Sequence, residues 1–175
     1  ASVEATSSAG AAVSYDVATA TDIGDSSLTV TYSAASGSTF AIGTTTVIAT
    51  ATDDSGNTAT CSFNVTVVDT TSPAITCASA PATAEATSSA GAAVTYGAAS
   101  ATDTGDDSVA ITYSAASGST FAIGTTAVTA TATDDSGNTS TCTFNVTVVD
   151  TTSPAITCAS APATVEATSS AGAAV

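Results

Sequence analysis

Lysine, arginine and histidine are absent from this 175-residue sequence, as are methionine and tryptophan. Without Lys or Arg the chain cannot build a phosphate clamp, a basic face for nucleic acid or a polybasic membrane patch. Without His it has no imidazole base and no histidine metal ligand. Fifteen Asp and Glu side chains therefore stand unopposed, for a formal net charge of −15. Charged residues are nevertheless only 9 % of the chain, which is unlike a highly charged disordered tail. Aromatic residues are scarce at 5 %, and no apolar run approaches the roughly 20 residues that cross a bilayer. Neither a membrane span nor a nucleic-acid partner is expected.

What fills the chain is Ala, Val, Ser and Thr, a composition suited to a light-cored, β-rich extracellular protein. Catalysis is not expected. A serine nucleophile would lack a His or Lys base. The paired carboxylates of Asp134 and Asp135 fall in a predicted hairpin tip with no pocket around them. With no initiating Met and no signal-peptide or targeting pattern, the sequence reads as mature or excerpted material.

Repetition organises the rest. The run EATSSAGAAV occupies residues 4–13, returns at 85–94 and again at 166–175, a period of 81 residues. The copies differ mildly, as in Leu28 against Val109, Val30 against Ile111 and Ser62 against Thr143. The expected organisation is a domain at 1–69 lacking its first strand, a complete domain at 70–150 and the start of a third at 151–175. The near-duplicated ends read as a window on a longer tandem array.

Within a period the pattern is that of strands. Cys142, Phe144, Val146 and Val148 alternate with Thr143, Asn145, Thr147 and Val149. Val128, Ala130 and Ala132 alternate in the strand before, and the turn Asp134-Asp135-Ser136-Gly137-Asn138 joins the two, with Gly137 and Asn138 expected at φ > 0. Val109, Ile111 and Tyr113 mark another strand, residues 92–96 one more, 119–124 a short edge strand, and 155–159 the first strand of a period. No run has helical spacing. About seven short strands per period predict an all-β protein of tandem small sandwiches.

The runs DTTSPAITC, VEATSSAGAAV, GSTFAIGTTTV and ATATDDSGNTATCSFNVTVVD, followed by DTTSP again, resemble the hyalin repeat (HYR) domain over essentially the whole chain. The resemblance implies an immunoglobulin-like β-sandwich, found in tandem in extracellular proteins linked to adhesion. Many members carry two further cysteines where this chain has Tyr32 and Ala49, or Tyr113 and Ala130, so a second, inter-sheet disulfide is absent. Two pairings compete for the four cysteines present. Cys77 with Cys142 would join the first and last strands of one domain, whereas Cys61 with Cys77 would cross the junction. Domain boundaries at residues 69–73 and 150–154 favour the first, because first and last strands are neighbours in the implied fold. Cys61 and Cys158 would then pair outside this sequence. A bridge of this kind stabilises by roughly 4 kcal/mol in the chain-entropy description and places the protein in an oxidising compartment.

The carboxylates cluster. In the implied fold two acidic loops share the end that receives the incoming linker, so Asp69 is expected to meet Asp103, Asp106, Asp107, Asp134 and Asp135. Hard oxygen ligands in flexible loops suit calcium, although the calcium-loop ligand spacing is absent and such residues also make ordinary turns. Asn64, Asn138 and Asn145 stand in glycosylation acceptor patterns, and Ser and Thr could carry O-linked sugars. The expectation is a structural segment of an extracellular fibre or adhesin stalk, at the cell surface or secreted. Its partners would be further copies of the repeat, with glycans as a coat and calcium at the junctions. The alternative is a cell-adhesion module recognising carbohydrate or a surface protein.

Overall fold

In a computed structural model of the protein, residues 2–79, 81, 83–160, 166–167 and 170–171 are described, and every regular element among them is a strand. The first repeat supplies β1 (Ser2–Glu4), β2 (Ala11–Ala12), β3 (Thr29–Tyr32), β4 (Thr39–Phe40), β5 (Gly43–Thr52) and β6 (Thr58–Val68). The second supplies β7 (Ala74–Thr76), β8 (Ala84–Glu85), β9 (Ala92–Ala93), β10 (Ser100–Thr102), β11 (Ala110–Tyr113), β12 (Thr120–Phe121), β13 (Gly124–Thr133) and β14 (Thr139–Val149).

The long hairpin β13–β14 is the frame. It pairs antiparallel from Thr133↔Thr139 to Gly124↔Val148. Gly137 closes the turn at φ +90°, but no other residue type takes positive φ among the described residues. Asn138 therefore does not take the expected left-handed conformation; its side chain is engaged in hydrogen bonds instead. Strand β11 extends the hairpin on one edge and β8 on the other, the latter in parallel, giving the order β11-β13-β14-β8. Two ribbons, β10-β7 and β12-β9, form the opposing layer. The first repeat builds β3-β5-β6-β1 and β2-β4 in the same way; among the described residues it shows no counterpart of β7 or β10.

The inward side chains follow the two-residue period. Val128, Ala130, Ala132 and Val146 are fully buried, and with Phe121, Phe144, Val148, Ala92 and Val94 they fill the second sandwich. Each buried Val is worth about 1.5–3 kcal/mol. The first sandwich repeats the arrangement around Val47, Val65, Val67 and Phe40. Gly91 turns at φ +107° directly under β12, where a Cβ would lie 1.8 Å from the Phe121 carbonyl oxygen. The layers can approach this closely only at glycine.

Two expected strands are shorter than their sequence pattern. Beyond β9 the chain stays beside its neighbour, but Tyr96 N–H donates to Ser117 Oγ (2.9 Å) in place of a backbone carbonyl, so regular pairing stops. Tyr96 packs edge-on against Phe144 and donates its hydroxyl to the Ala115 carbonyl; burial and the neighbouring Tyr113 raise its pKa. Residues 155–159 are not a strand: residues 151–160 are exposed and pair with nothing in a ladder among the described residues. Tyr113 and Ala130, expected to mark an inter-sheet position, are opposite one another on neighbouring strands of one sheet.

Candidate metal centre at the domain junction

Direct hydrogen bonds hold the junction on both sides of the linker. Glu4 on β1 is level with Val68 on β6, so its carboxylate reaches the linker and accepts from Thr70 N–H (2.7 Å), Thr70 Oγ1 (3.0 Å) and Thr71 Oγ1 (3.1 Å). The Thr70 amide, first among these bonds, holds Glu4 below the usual carboxylate pKa. Glu85 brackets Thr151 and Thr152 in the same way and is lowered chiefly by the Thr151 amide. On its far side the first linker is received by the second sandwich. Asn138 Nδ2 donates to the Asp69 carbonyl (3.2 Å) and Ser140 Oγ to the Pro73 carbonyl (2.6 Å).

This seating buries Asp69, which is 8 % exposed, among the loops at one end of the second sandwich. Asp69, Asp103, Asp106 and Asp134 each bring a carboxylate oxygen into a group whose atoms all lie within 4.8 Å of one another. Local bonds fix the individual side chains. Asp103 Oδ1 accepts from Gly105 N–H (2.8 Å), Asp134 accepts from Asn138 through both oxygens (2.7 and 2.8 Å), and Asp69 Oδ1 accepts from Thr71 N–H (3.1 Å). The other oxygens of Asp69 and Asp103 are buried without a hydrogen-bond partner. Leaving a charged acceptor in that state is costly. Two like charges about 5 Å apart repel by roughly 3 kcal/mol at an effective dielectric of about 20. The chain contains no cationic side chain to offset this. The oxygen-only, carboxylate-rich donor set is that of a hard divalent cation.

Asp107 and Asp135, grouped with these four from the sequence, point elsewhere. Both are exposed, and they line a cleft shared with Ser8 and Ile42 of the first repeat. The Asp135 backbone does contribute: its N–H donates to Asp106 Oδ2 (2.6 Å) and sets that side chain. A second acidic group not foreseen from the sequence consists of Asp22, Asp25 and Asp53, each 81 residues before a member of the junction site. The repeat period alone identifies it. Asn57 lowers the Asp53 pKa, first through its side-chain amide. This group has no counterpart of Asp69 within the sequence. The Glu4 and Glu85 brackets were also missed; their only sequence signal is the recurrence of Glu at the head of EATSSAGAAV.

Cys77 and Cys142 form a disulfide with a Cα–Cα distance of 5.6 Å. It links the segment after β7 to β14 and so joins the two layers. Cys61 and Cys158 are free and exposed. Asn64 and Asn145 are exposed on the outer face of their sheets, where Asn64 Oδ1 accepts from Thr46 Oγ1 (2.9 Å) and leaves its nitrogen outward. Asn138 is different, since its Nδ2 is already committed to Asp134 and Asp69.

A family model for the HYR domain matches residues 2–67 and again 68–148. The chain belongs to the HYR family. Its two matched HYR domains are immunoglobulin-like sandwiches in tandem, and tandem HYR domains with an internal disulfide fit an extracellular, adhesion-type protein. No curated protein matches the sequence. A solved structure described as "PcdhgB3 EC1-4 in 50 mM HEPES" is 14 % identical, with a TM-score of 0.30 over 63 % of this chain and 32 % of that one. The HYR chain thus spans about a third of the length of that neighbour.

Proposed function

We propose that this chain is a non-catalytic structural segment of an extracellular fibre or adhesin stalk, in which calcium stiffens the junction between successive HYR domains. The observation that carries the reading is the buried carboxylate of Asp69. It arrives on the linker from one domain and joins three Asp side chains of the next, with one oxygen left unpartnered. Asp69, Asp103, Asp106 and Asp134 would hold the ion, which would replace mutual repulsion by attraction and lock the linker to the second domain. Asn64 and Asn145 are the proposed N-linked glycan positions, because their amides face solvent; exposed Ser and Thr would carry O-linked sugar. The net charge of −15 would keep such rods apart from one another.

Calorimetric titration of the 175-residue protein with calcium should give one tight site that Asp69→Asn weakens by about tenfold or more. Small-angle scattering should report a longer, less variable particle with calcium than with chelator. Superimposable profiles together with no binding heat would end the calcium reading. Mass spectrometry of material from its natural source, before and after deglycosylation, tests the sugar coat.

A further inference from the structure

Thr71 faces both ways at the domain junction. Its amide N–H donates to Asp69 Oδ1 (3.1 Å), and its hydroxyl donates to Glu4 Oε1 (3.1 Å). The same Glu4 oxygen accepts from Thr70 N–H (2.7 Å), and Glu4 Oε2 accepts from Thr70 Oγ1 (3.0 Å). One side chain of the first domain thus fixes both residues that follow Asp69. Glu4 is itself anchored by its strand. It lies opposite Val68 in the β1–β6 ladder, and the next amide, Ala5 N–H, donates to the Val68 carbonyl (2.7 Å).

With Oδ1 of Asp69 held by Thr71, Oδ2 is the oxygen left for an ion; it is buried and has no hydrogen-bond partner. We infer that Glu4 is a positioning residue for the junction cation. Through Thr70 and Thr71 it holds Asp69 ready, so that ion binding by the second domain and the first domain's grip on the linker strengthen each other. The inference rests on the calcium reading above and adds to it a residue outside the four-carboxylate group.

The physical reason is the cost of order. A ligand carried on a free linker must be immobilised when the ion binds, and that cost is subtracted from affinity. The bracket meets it in advance, with bonds to an ionised acceptor, which are stronger than neutral ones. Linkage then requires reciprocity: the factor by which the closed bracket raises ion affinity equals the factor by which bound ion favours the closed bracket. Glu4 is exposed and water competes for its oxygens, so the factor expected is about fivefold, at the low end for coupled sites. The second linker supplies a control. Glu85 holds Thr151 and Thr152 by the same bonds, and Thr152 N–H donates to Asp150 Oδ1 (3.1 Å), yet none of these residues belongs to the four-carboxylate group.

The test titrates the 175-residue chain and its variants with calcium chloride in a calorimeter. Glu4→Ala should weaken binding about fivefold, and Glu4→Gln only about twofold, because its amide oxygen still accepts from Thr70 N–H. Thr71→Val keeps the amide bond to Asp69 and loses only the hydroxyl. It should weaken binding about threefold alone and have no further effect beside Glu4→Ala. This variant leaves β1 untouched, so it decides the matter if a Glu4 variant disturbs that strand. Amide exchange gives the reciprocal readout. Saturating calcium should slow exchange at Thr70 by about the factor that Glu4→Ala costs in affinity, and leave Thr151 unchanged. A merely structural role for Glu4 would not move Thr70 exchange with calcium. Calcium binding that Glu4→Ala and Thr71→Val leave unaltered, or Thr70 exchange that ignores calcium, would overturn the inference while the calcium reading stands. No binding heat in the wild-type chain would end that reading and the inference with it.

Discussion

Asp69 lies directly over the backbone of Gly105: a Cβ at Gly105 would sit 2.3 Å from Asp69 Oδ2 and 2.5 Å from its Cγ. The acidic site therefore depends on a missing side chain as much as on the four that are present. Gly105→Ala should push the Asp69 carboxylate out of the group and lower calcium affinity by about tenfold or more, equivalent to about 1.4 kcal/mol. The same substitution in an Asp69→Ala background should have little further effect. Titration calorimetry on the four proteins of this cycle decides it; equal losses in both backgrounds would assign Gly105 a role unrelated to Asp69.

The Cys77–Cys142 bridge spans 65 residues. Closing a loop of that size in the unfolded chain corresponds to about 4 kcal/mol. Replacing both cysteines by Ser should destabilise the second domain by about that amount and leave the first unaffected. Denaturant unfolding followed by residue-resolved hydrogen exchange separates the two.

Glycine substitutions at two turns of the second domain should differ sharply. At Gly118, φ is +86° and nothing lies within 4 Å of an added Cβ, so Gly118→Ala should cost only the left-handed backbone penalty, about 1–2 kcal/mol. At Gly91 the added carbon would also meet the Phe121 carbonyl, and backbone cannot move aside as a side chain can. Gly91→Ala should be several-fold more destabilising in thermal melts, and equal effects would refute the close approach.

The linker brackets should respond to acid. Glu4 and Glu85 have pKa values lowered from 4.5 in the folded protein by the amides and hydroxyls of their Thr partners. A carboxylate lowered on folding contributes its full stabilisation above its unfolded pKa and loses it as pH falls through the folded value. Amide exchange at Thr70 and Thr151 should therefore be slow above about pH 4.5 and accelerate below it, after correction for intrinsic rates. Glu85→Gln should remove the pH dependence at Thr151 and leave that at Thr70.

The strand framework was legible because Phe144, Val146 and Val148 alternate with polar residues, and a half-buried strand leaves no other placement for them. The four-carboxylate group was legible in large part, since the repeat and the family resemblance together place its loops at one end. The alternation cannot say where an individual loop side chain points. Asp134 and Asp135 are adjacent in sequence, yet one turns inward to Asn138 and the other to solvent. Turn propensity predicts only a backbone role for Asn138, whereas its side chain holds both the turn and the incoming linker. Glu4 and Glu85 carry no local signal of their role, because their partners lie 66 and 67 residues away.

The position of the disulfide has a mechanical consequence. A pull applied at Asp69 and Asp150 enters through β7, crosses from Cys77 to Cys142 and leaves along β14. The 65-residue separation closed by the bridge is shunted out of the path of tension. Residues 78–141 hold a slack of roughly 220 Å at extended-chain length, and none of it can be paid out while the bond is intact. The second domain can thus lengthen under force only by the short segments outside the bridge, even if its light alanine and valine core gives way.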